Sequence, residues 1–175
     1  HDLAVKLSID KSYLNPYGVP VSEKAKWTEN LKVKIGFSGV VYFAGCTSSC
    51  LLHDIAKASC NVLSRLNLEF SDMGQHEPCC GLPALQVGFL DEFKRVAREN
   101  AKLFKEKGVK MLVTSCAGCY RVFAKEYPEH DISLEQEVYH LCQVVHRALN
   151  EEGLELKELN VKVAYHDPCH LGRHM

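Results

Sequence analysis

The stretch GVVYFAGC spans residues 39–46. Its centre is β-branched and aromatic, glycines close it at both ends, and a cysteine follows at once. Such a run reads as a buried strand that delivers a thiol at its exit. The arrangement recurs. LEFSD (68–72) is a short second strand, with Cys79 and Cys80 in the loop behind it. VKMLVTS (109–115) is a third, followed by Cys116 and Cys119, and VKVAYHD (161–167) is a fourth, followed by Cys169.

Helical patterns separate these runs. In 51–66, Leu52, Ile55, Ala56, Ser59, Leu63 and Leu66 recur at helical spacing. Residues 84–107 carry Phe89, Phe93, Val96, Ala97 and Phe104 on one face, with Gly108 as a stop signal. A further helix starts near Ala117 and ends before Pro128. The run 133–153 pairs Ser133 with Gln136 as a capping box, places Val138, Leu141, Cys142, Val145 and Leu149 on its apolar face, and has Gly153 after its end. Strand alternating with helix predicts an α/β fold, a mostly parallel sheet with helices on both faces. Ligands in such sheets sit beyond the carboxyl ends of the strands. The ligand cysteines are therefore expected along one sheet edge.

The remaining segments frame this core. NPYGVP (15–20) is turn-rich, KAKWTENLKVK (24–34) holds a short helix, and residues 1–38 read as a linker or lead-in arm that Trp27 packs onto the body. VVYFAGC (40–46) and VKVAYHDPC (161–169) echo each other, so a second repeat is expected to begin near residue 160. The chain starts at His1 and ends at Met175, soon after a strand-like run and a cysteine, and reads as an excerpt of a longer polypeptide.

Composition narrows the chemistry. The chain has 175 residues, 46% hydrophobic and 25% charged, the balance of a soluble globular protein of one domain or little more. Its formal charge of -1 offers no basic field for nucleic acid. No apolar run approaches the ~20 residues a membrane helix needs, and the N-terminal stretch has no signal-peptide core. The nine cysteines are the unusual feature. An odd count in a chain with an ordinary core and no secretory signal reads as intracellular, and as metal-binding or redox-active rather than disulfide-stapled.

Cys46 is followed after thirty-two residues by Cys79-Cys80-Gly81, and after thirty-four more by Cys116-Ala117-Gly118-Cys119. Thiolates hold iron–sulfur clusters, and a cubane of four irons needs four. Five converge here, and adjacent side chains such as Cys79 and Cys80 diverge, so a polynuclear site of irregular shape is favoured over a cubane. Gly118 lets the backbone approach the sulfurs and offers N–H groups that tune potential. A structural zinc site is the alternative, but zinc wants four ligands, typically in two close pairs, and only one C-x-x-C is present. Cys60 and Cys142 read as core. Cys50 lies at a helix entry near Cys46, and the part played by Cys169 is left open. His53, His76, His166, His170 and Arg173 read as surface groups, with proton delivery as the competing role for the histidines. No phosphate-binding glycine loop or nucleophile elbow occurs.

On these cysteines the chain resembles the CCG (cysteine-rich) domain family of iron–sulfur oxidoreductases, which includes the catalytic iron–sulfur subunit of heterodisulfide reductase. The resemblance spans residues 39–169. It implies a noncubane [4Fe-4S] cluster on Cys46, Cys79, Cys80, Cys116 and Cys119, with Cys79 and Cys80 at the catalytic centre. It implies a first repeat over 39–159 and the start of a second over 160–175, opened by HDPCHLGRH (166–174). It also implies an upstream ferredoxin-like module, joined through NPYGVPVSEKAKW (15–27). Electrons would come from a donor subunit, either a membrane cytochrome or a flavoprotein, and pass to a thiol or disulfide substrate. The protein would be cytoplasmic or membrane-associated through that partner. The alternative within the family is an electron relay for a flavin-dependent 2-hydroxy acid or glycerol-3-phosphate dehydrogenase.

Overall fold

The computed structural model describes residues 2–29, 31–151 and 156–175. Five strands form one all-parallel sheet: β1 (Lys34–Ile35), β2 (Val40–Phe43), β3 (Ser71–Asp72), β4 (Met111–Thr114) and β5 (Glu137–His140), in the order β1-β3-β2-β4-β5. The connection out of β2 moves toward one edge, and that out of β4 toward the other. The crevice beyond the carboxyl ends of β2 and β4 is therefore the switch point where such sheets take ligands.

The alternation of side chains along β2 and β4 explains the layers on both faces. Val41, Phe43 and Leu112 point to one side, among α1 (Asp2–Ile9), α5 (Leu82–Gln86), α6 (Leu90–Glu106) and the helical segment from α7 (Ala117–Arg121) to α8 (Tyr127–Glu129). Tyr42 and Val113 point to the other, against Trp27, α4 (His53–Arg65) and α9 (Leu141–Glu151). Phe43 meets Phe123 edge-on at 4.9 Å between ring centres, and Phe123 meets Tyr127 at 5.3 Å. Each fully buried large side chain contributes roughly 1.5–3 kcal/mol. A π-helical turn over Val122–Glu126 joins α7 to α8.

Several expectations are corrected. The run 133–153 is not one helix: Glu137–His140 pairs with β4 as β5, and only Leu141–Glu151 is helical. Gln136 is buried and donates to the Val109 carbonyl rather than completing a capping box. Cys142 is exposed, not core. Gly153 lies outside the described residues. The run 161–167 forms no strand. A strand needs a neighbour for its backbone groups, among the described residues none pairs with it, and Val161, Val163 and Tyr165 are exposed. The expected helix 51–66 is α4, and a separate α3 (Cys46–Cys50) precedes it; Leu52 and Ile55 face outward rather than into the core. Helix 84–107 breaks at Gly88, whose φ is +84°, and Phe89 is exposed. Residues 1–38 contribute β1, α1 and α2 (Val21–Lys24), and Trp27 is buried as expected. No helix among the described residues is long and apolar enough to cross a membrane.

Candidate iron–sulfur site

Three strand exits supply the thiols. Cys46 stands three residues beyond β2, Cys116 two beyond β4, and the loop after β3 carries Cys79 and Cys80. Cys119 follows one turn into α7. The five sulfurs line one cavity of about 330 Å³, walled by Leu82, Pro83, Gln86 and Val87 on one flank and by Ala4, Pro16 and Tyr17 of the arm on the other. Around it Cys46 neighbours Cys79, Cys79 neighbours Cys80, and Cys119 stands between Cys80 and Cys116.

Glycines make this approach possible. Gly45 adopts φ +77°, and a Cβ there would lie 3.1 Å from the Cys119 sulfur. Gly81 adopts φ +96°, where a Cβ would meet the Phe93 ring at 3.0 Å. L residues rarely take such backbones. Gly81 instead donates its N–H to the Cys79 sulfur at 3.5 Å, and Cys119 donates to the Cys116 sulfur at 3.4 Å.

These donors sort the thiols by charge. Hydrogen bonds from Cys46 and Cys80, with the Gly81 N–H behind them, hold Cys79 well below the ordinary thiol range. Bonding from the Cys119 thiol and the N–H groups of Cys119 and Gly118 brings Cys116 down to about 6. Cys46 is pushed up because it donates to Cys79 and is buried. Cys119 rises because it donates to Cys116 and Cys80. The Cys119 hydrogen bond draws Cys80 down, but its own bond to Cys79 and burial outweigh that. Cys79 and Cys116 are thus the more acidic thiols of the set, and the thiolate is the form that binds iron.

The backbone of the vicinal pair is held from below. Asn100 of α6 donates to the Cys79 carbonyl at 2.8 Å and to the Tyr127 hydroxyl at 2.9 Å, and that hydroxyl donates to the Cys80 carbonyl at 2.9 Å. A buried Lys24–Glu77 pair braces the other side: Glu77 accepts from the N–H groups of Ala44 and Gly45, just before Cys46. The Tyr17 hydroxyl bonds Thr47 at 2.8 Å, fastening the arm at the mouth. Sequence reasoning missed Lys24, Glu77, Asn100 and Tyr127. None belongs to a recurring motif, and only the Glu-Pro lead into the cysteine pair could have drawn notice.

The other candidates lie apart. Cys60 is buried under the opposite sheet face, and Cys50 is half-buried outside the cavity lining. Cys169 is exposed in a short helical turn, where His170 bonds Arg121 at 3.2 Å. Among the described residues no histidine lines the cavity. Nor is any group of three or more Cys, His, Asp or Glu among them arranged to hold a single metal ion directly. The sulfurs bound a space rather than a point. The donor set fits a polynuclear sulfur-ligated cluster, and the zinc alternative gains nothing from it.

Comparison with known proteins accords with this geometry. The cysteine-rich domain (CCG) family model matches residues 40–124. One subunit of the dihydromethanophenazine:CoB–CoM heterodisulfide reductase of Methanosarcina mazei is 34% identical over 93% of this chain and 41% of its own length. EtfAB:quinone oxidoreductase of Syntrophomonas wolfei is 30% identical over 95% of this chain and 25% of its own. One subunit of the anaerobic glycerol-3-phosphate dehydrogenase of Escherichia coli is 30% identical over 75% and 35%. The chain thus spans about two fifths of the length of the reductase subunits it matches. No solved structure matches it. With five thiols gathered inside the range that the family model matches, the chain belongs to the cysteine-rich CCG domain family of iron–sulfur oxidoreductases and resembles this heterodisulfide reductase subunit.

Proposed function

We propose that Cys46, Cys79, Cys80, Cys116 and Cys119 hold a noncubane four-iron cluster, and that the chain passes electrons from a donor subunit to a thiol or disulfide substrate. The observation that carries this reading is the gathering of five thiols around one cavity at the sheet's switch point. Bound there, the cluster would supply one-electron oxidation and reduction beside the substrate's sulfur. The chain's own residues do the rest. Gly81, Gly118 and Cys119 aim N–H groups at the sulfurs, Asn100 and Tyr127 fix the backbone of the vicinal pair, and the apolar wall from Leu82 to Val87 limits water. Residues 39–159 make up the first repeat, and 160–175 open a second. The full protein carries a ferredoxin-like module upstream and works in a complex, which associates with a membrane through a partner or stays in the cytoplasm.

The test is anaerobic iron and sulfide quantification with electron paramagnetic resonance on the full-length protein. Cys79→Ser and Cys80→Ser should each abolish the native cluster signal. An unaltered spectrum in both contradicts the ligand set. The resemblance to a glycerol-3-phosphate dehydrogenase subunit favours a second reading, an electron relay for a flavoprotein. Turnover of disulfides with reduced viologen supports the reductase, and turnover only with a flavoprotein partner supports the relay.

A further inference from the structure

Lys24 ends α2 and is 1% exposed. Its ammonium donates to the Glu77 carbonyl at 2.6 Å and lies 3.6 Å from the Glu77 carboxylate. That carboxylate also accepts from Ala44 at 2.7 Å and Gly45 at 3.1 Å. One buried ion pair therefore joins three distant segments: the arm, the approach to Cys46, and the residue two before Cys79. Lysine is almost never fully buried without a partner, and a buried pair is weak evidence of added stability. Its position suggests a different task.

The charges around it are unequal. Burial works against the ammonium, yet the Glu77 carboxylate, and beside it Cys46, Cys50 and Cys79, outweigh burial and hold its proton on. Glu77 offsets that charge within the pair, so removing Lys24 alone leaves a buried carboxylate beside the approach to Cys46. Asp72 adds a further acid nearby. Among the described residues, Lys24 is the cation most deeply buried beside a set of sulfurs that becomes strongly anionic when it ligates metal. A fixed positive charge in a low-dielectric setting favours an added electron.

We infer that Lys24 is the built-in counter-cation of the cysteine cavity: a positioning residue that, through Glu77, holds the Cys46 and Cys79 backbones together and whose charge raises the reduction potential of the cluster they bind. The inference rests on the iron–sulfur reading above.

The experiment is a redox titration followed by electron paramagnetic resonance on anaerobically purified full-length protein. It compares wild type with Lys24→Gln, Lys24→Met and Lys24→Arg. Glutamine keeps a donor for the Glu77 carbonyl without the charge, methionine removes both, and arginine keeps the charge. At the wild-type midpoint, the ratio of reduced to oxidised cluster should fall about tenfold in the Gln and Met variants, about 59 mV for a one-electron couple. It should stay within about threefold of wild type in Lys24→Arg, since the charge is retained. If Lys24→Met does not fold, Lys24→Gln against Lys24→Arg carries the comparison. Cluster loss from the neutral variants with retention in Lys24→Arg supports the inference. Unchanged ratios in Lys24→Gln with full iron content overturn it, and so does cluster loss from all three variants, which would assign Lys24 to packing. Wild-type protein without iron or sulfide would instead remove the iron–sulfur reading itself.

Discussion

The Tyr127 hydroxyl donates to the Cys80 carbonyl across 2.9 Å, although the two residues stand 47 positions apart. The hydroxyl also accepts from Asn100, which reaches the neighbouring Cys79 carbonyl. Both carbonyls of the vicinal pair thus end on buried side chains. The direction in which the two thiols leave the backbone is fixed by a network with no ligand role of its own.

Tyr127→Phe removes the hydroxyl and leaves the Cys80 carbonyl and one Asn100 N–H unpaired. A buried polar group without its partner costs about 1–3 kcal/mol. Urea unfolding should move by that amount, and iron bound per chain should drop below wild type. Unchanged stability and iron content would show that the network does not support the site.

Gly45→Ala places a methyl group 3.1 Å from the Cys119 sulfur at φ +77°. The backbone alone costs roughly 1–2 kcal/mol, and the sulfur must also shift. Iron content should fall sharply while far-ultraviolet circular dichroism is retained. Gly39→Ala is the control: its Cβ would have 3.9 Å of clearance from Lys110, and its iron content should match wild type.

Asp72 gives the fold a pH dependence. Burial, then the charge of Glu77, raise its carboxyl to about 7, against the Gly74 N–H and Lys24, which lower it. Cys60 also faces it, and among the described residues its Oδ2 has no hydrogen-bond partner. The folded state therefore keeps a proton that the unfolded chain releases near pH 4. Stability is fully present below that value, declines as pH rises toward 7, and levels above it, by at most about 4 kcal/mol. Asp72→Asn keeps the Gly74 contact through its carbonyl and should flatten the decline in apoprotein denaturation curves between pH 4 and 7. A slope equal to wild type would refute the assignment.

The thiols outside the cavity should separate by reactivity. Cys142 and Cys169 are exposed, whereas Cys60 is buried and pushed up to about 12 chiefly by burial. Alkylation of the native protein near neutral pH, read by mass spectrometry, should label the first two quickly and Cys60 only on unfolding. Cys142→Ser should leave iron content unchanged. Early labelling of Cys60 would contradict the packing of α4 on the sheet.

Legibility in the sequence followed the range of the interactions. GVVYFAGC and VKMLVTS were readable because a buried parallel strand announces itself by local composition. EVYH was hidden inside a helical pattern, and its identity as β5 depends on pairing with β4 rather than on its own residues. The opposite error occurred at VKVAYHD, whose strand-like composition finds no neighbour among the described residues. Cys142 fell on an apolar stripe, but α9 turns that position outward.

Cysteine spacing and strand–helix alternation were enough to determine the α/β class, the sheet edge carrying the thiols and the family, because these features are written in neighbouring residues and short periods. Tertiary structure alone decided that the arm walls the cavity, that Lys24 and Glu77 meet beneath it, and that Asn100 and Tyr127 hold the cysteine backbone. Those contacts join residues up to 53 positions apart. Burial and pairing at such range come from how the layers pack, and no local pattern encodes them.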